Sequence, residues 1–412
     1  MIKDFLDNIG SKMRAKIANT GIKSTIHGLD FTLALIQSFP LLGKDYTMNE
    51  LHDGVTKTTG KRIHLNSFRD RMNTNLLRNR LKMILDHLTK EQYKSDVKDD
   101  NSILKKVGVT RITAIDSSIS SLWDALSVKY PGVFTTAGLK LNRSINLLTG
   151  SVTWSEISAA SSHDVNHFLP YNQLYQSLII FDLGYWDFSL FKKISSAGGY
   201  FLSRIKGSAK FEIDEIKSGM LKRKAGCDLL TASPPRKYAN IIELYAFVGE
   251  EKIRYRCLGF WNKRGKKYHW YITNLECDKS YISELYRLRW QIELSFKACK
   301  SHFNMDKFPS TKQNTVVNLL LLAEICYQLS CLIRRYAQNE SSIKENSSAF
   351  TILRASKIVR HVIENICSFL KQGREEEWHK LKTMISLFLP KLYDPNANKR
   401  FTTLQKLGRL TS

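Results

Sequence analysis

The 412-residue chain is short of acidic groups: 38 Asp and Glu stand against 63 Lys and Arg, a formal charge of +25. The excess runs along most of the chain instead of sitting in one tail. A field of that sign favours polyanions, because each neutralised phosphate releases condensed counterions. Nucleic acid is the first partner class and an anionic membrane surface the second. Paired cysteines are also missing. The seven residues Cys227, Cys257, Cys277, Cys299, Cys326, Cys331 and Cys367 are odd in number and form no CxxC. That argues against a zinc module or a disulfide framework and for a reducing cytoplasm. The opening "MIKDFLDNIGSKMRAKIANTG" has no continuous apolar stretch of the signal-peptide kind. The most apolar segment, "VVNLLLLAEICYQLSCLI", carries Asn318, Glu324 and Gln328, which marks a buried helix and no membrane span. Internal repeats and low-complexity stretches are absent, and Gly198-Gly199 lacks the Lys-Ser/Thr of a phosphate loop.

With 43% hydrophobic residues the chain is globular and long enough for two or three domains. Residues 1–104 read as helical. A helix ending near Thr58, a turn at Gly60 and a basic helix from Asn66 fit a helix-turn-helix, and equally a small helical bundle. Over 105–206, "VTRITAIDSSISSL", "GVFTTAGLKLNRSINLL" and "GSVTWSEISAAS" predict three strands. "HDVNHFLPYNQLYQ" predicts a helix capped by Asp164. A short strand, a helix and a further strand at "YFLSRIKG" follow, giving a mixed α/β sheet with helices packed on it. Residues 207–280 break that rhythm as an all-β insertion. A helix over about 279–303 follows, and 311–412 is again helical, ending in the basic "NKRFTTLQKLGRLTS".

Chemistry concentrates in three carboxylates. Asp116 and Asp182 each end an apolar run, "ITAI" and "LIIF", of the kind that forms a buried strand. A carboxylate there lies at the sheet edge, where open α/β sheets build their sites; a lone Asp capping the next loop is the ordinary alternative. The third is Glu293 in "YRLRWQIELSFKACK". There Tyr286, Arg289, Glu293 and Lys300 return to one side of a helix. That stripe is either a solvated face, with Glu293 and Lys297 as an i,i+4 pair, or a working surface. Two Asp and one Glu are hard oxygen donors suited to Mg²⁺ or Mn²⁺, two of which can drive an in-line displacement at phosphorus. Crowded carboxylates repel unless a cation joins them. Arg289 and Lys300 can then hold flanking phosphates. His163 and His167 have no further ligand pair nearby, and Trp290, pointing away from the stripe, is expected in the core.

Tyr286-x2-Arg289-x3-Glu293-x6-Lys300 resembles the Y-R-E-K signature of DDE transposases of the insertion-sequence-four type. Asp116 in "ITAIDSS" and Asp182 in "IIFDLGYWD" fall where that family's catalytic aspartates are expected, and the likeness covers roughly 105–310. It implies a ribonuclease-H-like catalytic core (105–206) interrupted by an all-β insertion (207–280) and completed by the signature helix (281–310), with a DNA-binding helical N-terminal region and a helical C-terminal one. It further implies two Mg²⁺ or Mn²⁺ ions on Asp116, Asp182 and Glu293. Tyr286, Arg289 and Lys300 would contact phosphates of the element's end. In hairpin-forming members a tryptophan of the insertion stacks on a flipped base. Trp270 in "YHWYITNL" is the best match and Trp261 its competitor, with an ordinary core tryptophan the alternative. Arg204 and Lys206 are further phosphate contacts or a solvated strand end. The implied partners are double-stranded DNA, as element ends and target, and a second copy in a synaptic homodimer, in a prokaryotic, nucleoid-associated cytoplasmic setting. A nuclease on the same core, or a non-catalytic DNA-binding relative, remains the alternative.

Overall fold

The computed structural model describes residues 2–17, 26–96, 102–219, 225–234, 236–340 and 350–394. The basic C-terminal stretch lies outside them. Six helices come first: α1 (Ile2–Ile17), α2 (Gly28–Ser38), α3 (Met48–Thr59), α4 (Leu65–Met72), α5 (Asn75–Asp96) and α6 (Ser102–Val107). The expected break between α3 and α4 has a plain cause. Thr47 and Glu50 form a reciprocal capping box at the start of α3, and Gly60 ends it with φ at 65°, a conformation that glycine adopts without steric cost.

The strands β1 (Arg111–Ser121), β2 (Gly138–Asn146) and β3 (Val152–Ala159) form an antiparallel meander. They are followed by β4 (Ser177–Ile180), α7 (Phe188–Ser196) and β5 (Tyr200–Arg204), with β4 parallel to both β1 and β5. Next come β6 (Phe211–Ser218), α8 (Leu229–Ala232), β7 (Ile241–Val248), β8 (Ile253–Asn262) and β9 (Lys267–Thr273). These four strands pair in sequence and β9 pairs with β5. One nine-stranded mixed sheet results, in the order β3-β2-β1-β4-β5-β9-β8-β7-β6. The 207–280 segment therefore lengthens the sheet and does not form a second one. The rest is α9 (Lys279–Leu288), α10 (Trp290–His302), α11 (Gln313–Glu340), α12 (Ile352–Gln372) and α13 (Glu375–Leu392).

Two cores flank the sheet. The larger runs from Leu6 to Leu392 and takes Ile112 and Ala114 from one face of β1. The helices at the two ends of the chain share it, with α12 packed on α1 and α2 and α11 on α5. The smaller core takes Ile115 from the opposite face and joins it to Phe181, Phe191 and Phe201. The alternation follows from the two-residue period of a strand. The apolar helix α11 is long enough to cross a membrane but is buried in protein throughout the window that qualifies, as expected of a helix apolar on all sides. Its polar side chains have partners: Asn318 donates to the Met72 carbonyl at 2.8 Å and Gln328 to Thr89 at 3.0 Å.

Two expectations fail locally. The stretch from Asp164 forms no α-helix but two separate 3₁₀ turns, Asp164–Asn166 and Tyr171–Gln173. Pro170 lies between them; it has no N–H to give and turns Leu169 away from helical geometry. The N-cap position belongs to His163, which makes no side-chain cap, so Asp164 caps nothing. The signature segment is also two helices. At Arg289 the bonding tightens to three-residue spacing, with Arg289 N donating to the Tyr286 carbonyl at 3.1 Å and Ile292 N to the Arg289 carbonyl at 3.0 Å.

Candidate active site

Parallel pairing brings the two aspartates close. In the β1–β4 ladder Arg111 faces Ser177 and Ala114 faces Ile180, a constant offset. Asp182 follows two residues after the last of these pairs, close enough for its charge to act on Asp116. The chain leaves β4 there, and Asp182 Oδ1 accepts from Gly184 N at 2.8 Å to start a 3₁₀ turn. Asp116 shares a face with Ala114 and turns toward α10.

Arg289 joins this pair to the third carboxylate. From the α9–α10 junction its guanidinium gives Nη1 to Asp116 Oδ2 at 3.1 Å and Nη2 to Glu293 Oε1 at 2.5 Å. Glu293 thus pairs with Arg289, in place of the i,i+4 pair with Lys297 expected from the sequence. Burial, then the neighbouring Asp182 charge, pushes the Asp116 carboxyl up to about 7, with Glu293 adding to the rise; the Ser117 N–H and Arg289 oppose it. The site is therefore crowded with negative charge that one guanidinium only partly offsets.

Further along β1, Lys300 Nζ donates to the Ile119 carbonyl at 3.2 Å. The Tyr286 ring packs on Tyr271 with centroids 5.1 Å apart. Burial above all pushes its hydroxyl up to about 12, so at neutral pH it is a hydrogen-bond donor. Arg204 and Lys206 are exposed at the end of β5. The Arg204 charge reaches both Tyr271 and Tyr286, which sets it beside the signature stripe.

The structure favours the ordinary core alternative for Trp270 and corrects the expectation for Trp290. Trp270 is only 6% exposed, and its indole N–H donates to Ser233 Oγ at 3.0 Å. It faces Gly259 across the β8–β9 ladder, where an added Cβ would meet the indole ring at 2.9 Å. Trp261 is half-buried against Tyr268, with centroids 5.0 Å apart. Trp290, expected in the core, is 60% exposed, because the break at Arg289 re-aims the start of α10. Gly259→Ala is expected to destabilise the fold by about 1–3 kcal/mol through overpacking, read as a lowered urea midpoint; an unchanged midpoint would show the strands moving apart freely.

Among the described residues no three His, Cys, Asp or Glu side chains converge as a finished metal cage. The Arg289 guanidinium takes up the space between Asp116 and Glu293. The donors nevertheless fit a hard divalent cation: all are carboxylate oxygens, and an Asp116 carboxyl held near neutrality is the mark of unbalanced charge at a buried site. Asp116, Asp182 and Glu293 are the groups that would hold it. Two grooves of about 720 and 660 Å³ meet at Trp123, away from these carboxylates.

Residues 108–329, more than half of the chain, match the family described as "Transposase DDE domain". Asp116, Asp182 and Glu293 all fall inside that stretch. The "Transposase for insertion sequence element IS1151" of Clostridium perfringens is 24% identical over an alignment of 285 residues that covers 56% of this chain and 60% of that protein. The "Transposase for insertion sequence element IS231F" of Bacillus thuringiensis subsp. israelensis is 22% identical over an alignment of 253 residues that covers 50% of this chain and 53% of that protein. The chain thus matches a little over half the length of these curated relatives. A solved piggyBac transposase synaptic complex with hairpin DNA overlays with a TM-score of 0.40 at 10% identity, across 93% of this chain and 82% of that one, a likeness too loose to build on. On the match over 108–329, the chain belongs to the Transposase DDE domain family.

Proposed function

We propose that this chain is a transposase that cuts the ends of its mobile element and joins them to target DNA. The observation that carries the reading is the approach of Asp182, just past the end of β4, to Asp116 on the neighbouring strand β1, with Glu293 tied to Asp116 through Arg289. The order β3-β2-β1-β4-β5, with β2 reversed against its neighbours, supports a ribonuclease-H-like core. Two Mg²⁺ or Mn²⁺ ions on the three carboxylates would activate water or a 3′-hydroxyl and stabilise the leaving oxygen.

The chain's own cations serve the phosphates. Arg289 offers a planar fork that suits a phosphate as well as a carboxylate. Lys300 supplies a point charge further along β1, and the protonated Tyr286 hydroxyl a neutral donor. Arg204 and Lys206 extend the positive surface beyond β5. Hydrolysis followed by transesterification then needs no covalent protein–DNA intermediate. A hairpin intermediate, a synaptic homodimer, and end recognition by the α3–α4 unit are further parts of the proposal, as is a nucleoid-associated setting.

The test is cleavage of a duplex carrying the element's terminal inverted repeat, with Mg²⁺ present. The expected product has a free 3′-hydroxyl at the element's end, and later appears joined to a target. Arg289→Ala is expected to slow end cleavage by about 10²-fold, in the range for removing one preorganised charge-stabilising donor. Equal cutting of unrelated duplexes, indifferent to Arg289 and Tyr286, would point instead to a nuclease.

A further inference from the structure

A fourth carboxylate and an unpartnered phenol border the same site. Asp164 lies in the connection between β3 and β4, and reaches the sheet face opposite α10. Its Oδ1 accepts from Ser117 Oγ at 3.0 Å and from Lys140 Nζ at 2.8 Å. Lys140 is itself buried, and also donates to the Ser162 carbonyl at 2.6 Å. One carboxylate oxygen is therefore fixed in place. The other, Oδ2, accepts no hydrogen bond among the described residues.

Where Oδ2 points is set by Gly184. A Cβ added to that glycine would stand 3.0 Å from Asp164 Oδ2 and 3.0 Å from Asp182 Oδ1. The two oxygens border one small gap, which the missing side chain keeps open. Tyr185 follows directly. It is completely buried, and its hydroxyl has no hydrogen-bond partner among the described residues. Such orphans are uncommon and call for an explanation. Burial, reinforced by the charges of Asp164, Asp116 and Asp182, pushes this hydroxyl's pKa far up. The phenol thus keeps its proton and lies within electrostatic reach of three carboxylates.

We propose that Asp164 and Tyr185 are positioning residues for the divalent cation of the Asp116–Asp182 pair, with Asp164 Oδ2 and the Tyr185 hydroxyl holding the ion's water shell. The proposal rests on the reading of this site as a metal site. A role as counterion to Lys140 accounts for Asp164 Oδ1, and Oδ2 stays open to solvent beside Gly184, but the buried Tyr185 hydroxyl is left unexplained. Magnesium gives up its waters reluctantly, so groups that hold those waters contribute to affinity although they do not touch the metal.

The experiment is a Mn²⁺ titration of the full-length protein, with and without bound duplex, followed by the electron paramagnetic resonance of free Mn²⁺. Asp164→Asn and Tyr185→Phe are each expected to weaken Mn²⁺ binding about tenfold or more, as loss of outer-shell partners does. Asp164→Asn also deprives Lys140 of its counterion, so Tyr185→Phe is the cleaner variant. It gives up no bond in the metal-free fold, and its metal-free melting temperature is expected to equal or exceed that of the wild type. Mn²⁺ affinity within twofold of wild type in both variants, with binding lost in Asp116→Asn, overturns this inference alone. Wild-type protein that takes up no Mn²⁺ under either condition overturns the metal reading of the site as well.

Discussion

Asp116→Asn is expected to abolish Mg²⁺-dependent cleavage of the element's end while making the metal-free protein more stable at neutral pH. The loss of rate should exceed the roughly 100-fold that removing an outer-shell partner costs, because Asp116 is a first carboxylate of the site. The stability effect has the opposite sign for an electrostatic reason. Burial, Asp182 and Glu293 raise this carboxyl from 3.8 to about 7 in the fold. An unfolded chain releases the proton near pH 4, whereas the native state keeps it until about pH 7. The native state therefore binds more protons across that window, and its stability is full below pH 4 and lost as pH rises to 7, at up to about 1.4 kcal/mol per unit. Asn has no proton to release, so that slope disappears, and its amide oxygen can still accept from Arg289. Urea unfolding at pH 5 and pH 7.5 and an end-cleavage assay read the two halves separately. Unchanged cleavage would sink the site assignment; a variant less stable than wild type at pH 7.5 would sink the account of the charge.

The parts of this arrangement that can be read from the sequence are those set by short-range patterns. Apolar runs ending in Asp116 and Asp182 mark two buried strands that pair in parallel, but only β4 stops at its run; β1 continues past Asp116 to Ser121 against β2, so Asp116 lies within its strand and not at the sheet edge. The alternation of β7 and the helical character of both chain ends are equally local properties. What escaped was decided by partners distant in sequence. Trp270 is buried because Gly259, across a hairpin, has no side chain to keep it out. Asp164 resembles a cap in the sequence, but Pro170 prevents the helix and Lys140 claims the carboxylate. The i,i+4 rule suggested Lys297 as the partner of Glu293; the pair forms instead with Arg289, which also meets Asp116. Tyr185 could have been noticed as a polar ring just past a buried strand's end, but only the packing reveals that its hydroxyl is stranded.

Arg143 is the other residue that sequence reasoning passed over, and the second large effect is expected there. It stands opposite Asp116 in the β1–β2 ladder and is completely buried. It makes an ion pair with the buried Glu324 of α11, donates to Ser295 Oγ at 3.0 Å and Cys299 Sγ at 3.3 Å on α10, and lies 4.7 Å from the ring centres of Phe296 and Tyr327. A charge in such a place is held by its partner, so removing one partner costs far more than removing both. Glu324→Ala strands the guanidinium and is expected to cost about 3–5 kcal/mol, a large share of the 5–15 kcal/mol or so that holds a typical domain together. The double variant combining Arg143→Met with Glu324→Leu leaves no charge behind and should recover most of that loss, read as a restored urea midpoint. Its cleavage activity then isolates a separate role. Arg143 fastens α10 to β2 directly across from Asp116, so it fixes the level at which Glu293 meets the aspartates. A stable double variant that cleaves slowly would assign the pair to alignment of the signature helix; full activity would confine it to stability; and a Glu324→Ala protein as stable as wild type would overturn the account of the buried charge.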